Sequence, residues 1–293
     1  MTKTISNIAV IGAGSMGHQI AMLAALGGYE TTIQDIEESS LQKAKQSLEF
    51  QLGKWVKKGK ITEEKLQQAF TRLHFTTHLV EAVSNADFII EAIVEKLDAK
   101  RELFEKLDEL APQHAILATN SSTIVNSKIA EVTKRPDKVC NMHFFFPPLV
   151  MDCVEVVKSE HTSEETAEIT MEVCRQMNRT AVLLQKEISG FIANRILGAL
   201  TKEAVSLYEE GYASFEDIDL ICKKALNHPI GPFALMDLSG IDVAYFVNQQ
   251  RYAETQDPAD LPAACIEEKV KAGTLGRKTG KGWYDYGKHE VKS

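Results

Sequence analysis

Between Ile8 and Asp35 the chain runs strand, glycine turn, helix, strand and acid, an order that leaves few folds open. Ile8-Ala9-Val10-Ile11 is an apolar run of strand length, and Gly12-Ala13-Gly14-Ser15-Met16-Gly17 follows directly. Ile20, Ala21, Leu23, Ala24 and Ala25 then recur at mostly helical spacing up to Gly27-Gly28, and a second strand from Tyr29 to Gln34 ends in Asp35. Gly12 suits the sharp turn off the strand, and Gly17 lets the helix close on the sheet. Gly14 leaves room for backbone N–H groups of the loop, with Ser15 and Met16, to meet a pyrophosphate at the positive end of the helix. Asp35, about twenty residues on, is placed to accept hydrogen bonds from ribose hydroxyls. A plain strand-to-helix turn would account for the glycines but leaves Asp35 unexplained. The stretch predicts a dinucleotide site. Asp35 repels a 2′-phosphate and precedes Ile36 rather than an arginine, which selects NAD over NADP.

The whole chain, 293 residues, has room for one large or two ordinary domains and a sizeable core. Its 44% apolar and 25% charged residues are those of a globular protein, and a formal net charge of −8 argues against nucleic acid as a partner. No apolar run approaches membrane-spanning length, and the first strand begins too early for a secretory signal. Five scattered cysteines without a CxxC pair fit reduced thiols in a cytoplasm, and the eight histidines form no metal-ligand cluster.

After Asp35 a helical pattern runs from near Glu37 to Gly59, ending in Lys54-Trp55-Val56-Lys57-Lys58-Gly59-Lys60. Lys54 and Lys58 share a helix face. By spacing alone this end reads as cations complementing a helix C-terminus; the other reading is a phosphate-binding patch. Thr62 caps a further helix, and Leu73 to Thr77 has strand character. Ala86 to Ile93 and Ala115 to Ala118 are buried-strand runs, Val139 to Phe146 and Met151 to Val157 follow, and Thr180 to Leu184 is the last. Strand alternating with helix predicts a Rossmann-type, doubly wound, mostly parallel sheet over residues 1–188.

In such a sheet ligands bind beyond the carboxyl ends of the strands. The glycine loop, Glu91, Ser121 and His143 all fall at or near those exits. Ser121 and Ser122 read equally well as helix caps, and His143 alone as a hydrogen-bonded core histidine. Glu155 lies on an otherwise apolar strand face and needs a partner there, for which His143 is a candidate. From Ser189-Gly190 onward the pattern becomes helix after helix, with starts near Phe215, Phe233, Ser239 and Pro258. This all-helical region, 189–293, has more large apolar residues than it can bury alone.

The chain resembles the short-chain L-3-hydroxyacyl-CoA dehydrogenases over nearly its whole length. The likeness rests on Gly12 to Gly17, Glu91-Ala92-Ile93-Val94-Glu95, Asn120-Ser121-Ser122, His143-Phe144-Phe145 and Val154 to Val157. It continues in Gly190-Phe191-Ile192-Ala193-Asn194-Arg195, His228-Pro229-Ile230-Gly231-Pro232 and Gly276 to Gly282. The resemblance implies an NAD-binding domain, a helical C-terminal domain that forms a homodimer, and an acyl-CoA substrate in the cleft between the domains. By motif position His143 is the base and Glu155 its orienting acid, while Ser121 and Asn194 hold the substrate oxygens. Glu95 and Lys100 approach the nicotinamide, Asn120 lies at the same cofactor exit, and Lys54 and Lys58 meet the CoA phosphates. Two positions depart from the family. Phe146 replaces the asparagine of His-Phe-Phe-Asn-Pro and is expected to shape the acyl pocket. The serine loop reads Thr119-Asn120-Ser121-Ser122 where Asn-Thr-Ser-Ser is usual. The competing readings are a dehydrogenase of a free hydroxy acid or sugar acid, as in lambda-crystallin-like relatives, and a dinucleotide-binding sensor without turnover.

Overall fold

The strand β1 (Asn7–Ile11) is buried from Ile8 onward, and its side chains divide by the two-residue period. Ile8 and Val10 enter one apolar cluster, Ala9 and Ile11 the other, so a continuous apolar run serves both faces of a covered sheet. The computed structural model describes residues 5–287. After β1 come α1 (Gly17–Leu26), β2 (Glu30–Gln34), α2 (Glu38–Lys57), α3 (Glu63–Thr71), β3 (Leu73–Thr76), α4 (Leu79–Val83) and β4 (Phe88–Glu91). Then follow α5 (Leu97–Leu110), β5 (Ile116–Thr119), α6 (Asn126–Ala130), β6 (Val139–Phe144), β7 (Cys153–Val157), α7 (Glu164–Gln176) and β8 (Thr180–Leu184). The strands form one sheet in the order β3-β2-β1-β4-β5-β6-β7-β8. Every pairing is parallel except β6 with β7. The order reverses at β1, so a crevice opens beyond the carboxyl ends of β1 and β4.

Local chemistry sets the boundaries. Thr62 and Ser163 accept the N–H groups of Lys65 and Thr166, at 3.2 and 3.1 Å, and start α3 and α7. β6 stops at Phe144, two residues before the expected end. The chain leaves the sheet there into a turn in which Val150 and Met151 both donate to Pro147 O at 2.9 Å. For the same reason β7 begins at Cys153 and not at Met151.

The chain divides into two units, the first running through Phe191 and the second beginning at Ile192. The second holds α8 (Ala193–Glu209), α9 (Phe215–Lys224), α10 (Pro232–Ser239), α11 (Ile241–Thr255) and α12 (Ala264–Lys271). Ser189-Gly190 does not open α8. Gly190 and Phe191 have φ of 77° and 48°, outside the helical region, so the helix starts only at Ala193. The helix expected near Ser239 begins after Gly240, and Pro258 opens a 3₁₀ turn ahead of α12. The second unit's core is a ring cluster of Tyr208, Phe215, Phe233 and Trp283, with centroids 4.6–6.3 Å apart. Two buried acids tie its C-terminal segment. Asp237 accepts from Trp283 N, Tyr284 N and Tyr286 OH at 2.8, 2.8 and 3.0 Å, and Asp219 accepts from Tyr284 OH at 2.9 Å.

Candidate active site

The glycine loop leaves β1 with Gly12 at φ +102°, its N–H donating to Gln34 O at 2.7 Å. A Cβ at Gly12 would lie 2.7 Å from Ala92 O, and one at Gly17 would collide with Gly12 O. Both positions therefore need glycine for close approach. Gly14 has nothing within 4 Å of where a Cβ would be, so its side of the loop is open. Asp35 Oδ2 accepts Ala13 N–H at 2.8 Å and Oδ1 accepts Glu37 N–H at 3.0 Å, which sets the carboxylate beside the loop. An open loop at a helix N-terminus with an acid at the end of β2 fits a dinucleotide. Next to it Ile36 is 84% exposed.

At the β4 exit the expected cofactor contacts rearrange. Glu91 is fully buried and takes Ile93 N–H (2.7 Å), Thr119 Oγ1–H (2.6 Å) and the Lys100 ammonium (2.7 Å). These bonds make it part of the framework at the β4 exit. Lys100 is 1% exposed, bonded to Glu91 and 3.3 Å from Glu95, so it too is enclosed in the structure rather than presented to the crevice. A buried charge needs such pairing. Asn120 Oδ1 accepts Phe144 N–H at 2.9 Å and fastens the β5 exit to the end of β6.

Glu95 organises the serine loop. Its Oε1 accepts from Ser121 Oγ (2.6 Å), Ser122 N, Thr123 N and Thr123 Oγ1 (each 3.0 Å). Burial opposes its ionisation. The Ser121 hydrogen bond, the Lys100 charge and the Thr123 bonds outweigh that and hold the carboxyl below its usual range. Ser121 is thereby committed: its Oγ gives its proton to Glu95 and accepts Ile124 N–H at 2.9 Å. The hydroxyl beside the histidine belongs to Ser122 instead, with Oγ 3.1 Å from His143 Nε2. Counting the family motif from Asn120 would have found it, because that register puts Ser121 at the threonine and Ser122 at the first serine.

His143 and Glu155 face each other across the antiparallel β6–β7 pair. Nδ1 lies 2.9 Å from Glu155 Oε2, and both residues are 3% exposed. The rings of Phe145 and Phe191 pack on the imidazole, with centroids at 4.7 and 5.3 Å. A carboxylate at Nδ1 favours the proton there, so Nε2 presents its lone pair on the Ser122 side. A base with a hydroxyl donor beside it is equipped to take a proton from an alcohol.

The other expected positions lie on other elements or in the turn after β6. Phe146 is 64% exposed and is followed by a cis peptide bond to Pro147. Lys54 and Lys58 are exposed at the end of α2, with Lys54 Nζ 3.9 Å over the Phe50 ring. Asn194 lies in the first turn of α8, in the second unit. Among the described residues no group of three His, Cys, Asp or Glu side chains is placed to hold a metal ion, and no helix is long and apolar enough to cross a membrane.

Residues 7–188 match the family described as 3-hydroxyacyl-CoA dehydrogenase, NAD binding domain, and residues 190–286 match its C-terminal domain. The chain is similar to a 3-hydroxybutyryl-CoA dehydrogenase of Clostridioides difficile, 39% identical over 281 residues that cover 96% of this chain and 99% of the relative. A mitochondrial hydroxyacyl-coenzyme A dehydrogenase of Mus musculus is 37% identical over 289 residues, covering 96% and 91%. Among solved structures, (S)-3-hydroxybutyryl-CoA dehydrogenase of Ralstonia eutropha superposes with a TM-score of 0.92 at 36% identity, covering 97% of this chain and 100% of that one. With both halves matched in order on the expected fold, the chain belongs to the 3-hydroxyacyl-CoA dehydrogenase family and is an NAD-dependent oxidoreductase.

Proposed function

We propose that this chain interconverts (S)-3-hydroxybutyryl-CoA and its 3-keto product, acetoacetyl-CoA; the names of its Clostridioides and Ralstonia relatives carry 3-hydroxybutyryl-CoA. The observation that carries the reading is the line from Glu155 Oε2 to His143 Nδ1, at 2.9 Å, and from His143 Nε2 to Ser122 Oγ, at 3.1 Å. His143 Nε2 takes the proton of the C3 hydroxyl, and Glu155 offsets the imidazolium that results. Ser122 donates to the oxygen on which negative charge develops, replacing Ser121 in that role; the resemblance adds Asn194 as a second donor. In the reducing direction the imidazolium returns the proton. Bound NAD supplies the hydride acceptor, and NADH the donor.

Lys54 and Lys58 bind CoA phosphates far from the reacting carbon and so hold it in register, and Phe146 limits the acyl chain. Ile196, Leu220, Ile221, Val243, Phe246 and Val247 of the second unit are exposed, which supports a homodimer built on that unit. Five free thiols support a reducing cytoplasm. A series of 3-ketoacyl-CoA esters with NADH tests the reading. Acetoacetyl-CoA should give the highest kcat/KM, with free acetoacetate reduced far more slowly. Equal turnover of the free acid would overturn it.

A further inference from the structure

At the first turn of α1 the backbone serves its own loop poorly. His18 N–H reaches Gly14 O only at 3.4 Å, and Gln19 N–H goes to Met16 O at 3.1 Å rather than to Ser15 O. Two side chains take up these carbonyls. His18 Nδ1 lies 2.5 Å from Gly14 O, and Gln19 Nε2 donates to Ser15 O at 3.1 Å. Both side chains are buried, whereas Gly14 and Ser15 themselves are exposed. In a trans peptide the C=O and N–H point in opposite directions. Tying the Gly14 and Ser15 carbonyls toward α1 therefore turns the N–H groups of Ser15 and Met16 the other way, toward the open side of the loop.

Each side chain is anchored to a different element at its far end. A carbonyl can only accept, so His18 carries its proton on Nδ1, and Nε2 accepts from Ser47 Oγ at 3.2 Å. Ser47 Oγ in turn accepts from Gln51 Nε2 at 2.9 Å. Donors thus run one way from α2 to the glycine loop, through Gln51, Ser47 and His18 to Gly14. Burial lowers the His18 imidazole, against the pull of its bond to Gly14 O, which favours the neutral ring this direction requires. The other anchor is Gln19 Oε1, which accepts Leu149 N–H at 3.2 Å in the β6–β7 turn that follows His143.

We propose that His18 and Gln19 are positioning residues for the dinucleotide, setting the two peptides whose N–H groups meet the pyrophosphate. His18 references the loop to α2, and Gln19 references it to the β6–β7 turn. This rests on the glycine loop being the pyrophosphate site. The test is NADH titration of the full chain, followed by nucleotide fluorescence, for wild type, His18→Ala, His18→Asn, Gln19→Met and Asp35→Ala, with steady-state kinetics on each.

His18→Ala and Gln19→Met should each weaken NADH binding and raise the KM for NADH roughly three- to tenfold, the loss of one hydrogen bond. The KM for acetoacetyl-CoA and kcat at saturating NADH should stay within about twofold of wild type. His18→Asn, whose Nδ2 takes the place of Nδ1, should restore most of the affinity. If both variants bind NADH like wild type while Asp35→Ala binds weakly, the positioning role falls and the cofactor site stands. If Asp35→Ala also binds like wild type, the site reading falls with it. A loss shared by kcat, both KM values and thermal stability, without rescue by His18→Asn, is a packing defect and overturns the proposal.

Discussion

Ser121 Oγ gives its proton to Glu95 and takes the N–H of Ile124, whereas Ser122 Oγ lies 3.1 Å from His143 Nε2. Two adjacent hydroxyls thus have different tasks, one shaping the loop and one facing the base. Ser122→Ala should lower kcat about 10²–10³-fold, as loss of a donor to a developing oxyanion does, without changing NADH affinity. Ser121→Ala should instead cost about 1–3 kcal/mol of stability, by leaving buried partners unsatisfied, with a smaller loss of kcat. Steady-state kinetics and urea unfolding of the two variants side by side decide between them, and the reverse ranking would return the role to Ser121. At this scale the pairing of His143 with Glu155 was legible, because a carboxylate on an apolar strand face needs a partner. The choice between the serines was less so. Residue type and helix-cap spacing do not separate them; only the register counted from Asn120 does, and the approach of Glu95 to Ser121 then fixes it in the fold.

Among elements, the loop after β5 is set by one carboxylate that gathers four donors. The folded Glu95 carboxyl lies below its unfolded value, so its contribution is fully present above the unfolded value and is lost as pH falls through the folded one. Between about pH 5.5 and 9 the clamp should therefore not titrate. Glu95→Gln should lower kcat by a factor that is constant over that range, and a moved acid limb in the pH profile would contradict this.

The basic end of α2 makes a separate prediction. Lys54→Ala with Lys58→Ala should raise the KM for acetoacetyl-CoA, more so at low salt, with kcat nearly unchanged; an unchanged KM would leave those lysines as a solvated helix end. Strand order and most helices were legible in the first unit because buried strands and capped helices differ in period, but the single-turn-length α4 (Leu79–Val83) was not, being too short to show one. Glu91 and Lys100 show where that reading stops. Glu91 ends β4 and Lys100 lies in α5; their mutual bond encloses both, and it exists only once α5 packs beside β4.

In the whole molecule the two halves carry different kinds of information. The sheet is written in apolar runs and turns. The second unit depends on Asp219 and Asp237, buried acids that bind backbone and tyrosine groups far along the chain, and neither stood out from the helical pattern around it. Asp237→Ala should cost about 3 kcal/mol, because the Trp283 and Tyr284 amides lose a charged acceptor; an unshifted urea midpoint for the helical signal would show that the segment holds without it. The central claim concerns the buried pair in the first unit, and a double-mutant cycle tests it most directly. His143→Gln should lower kcat about 10²–10⁴-fold with NADH binding nearly intact. Glu155→Gln should lower it as well, and the double variant should be little worse than His143→Gln alone, because the two residues act as one unit. If His143→Gln retains most of the activity, or the two losses multiply, His143 is not the base that Glu155 orients.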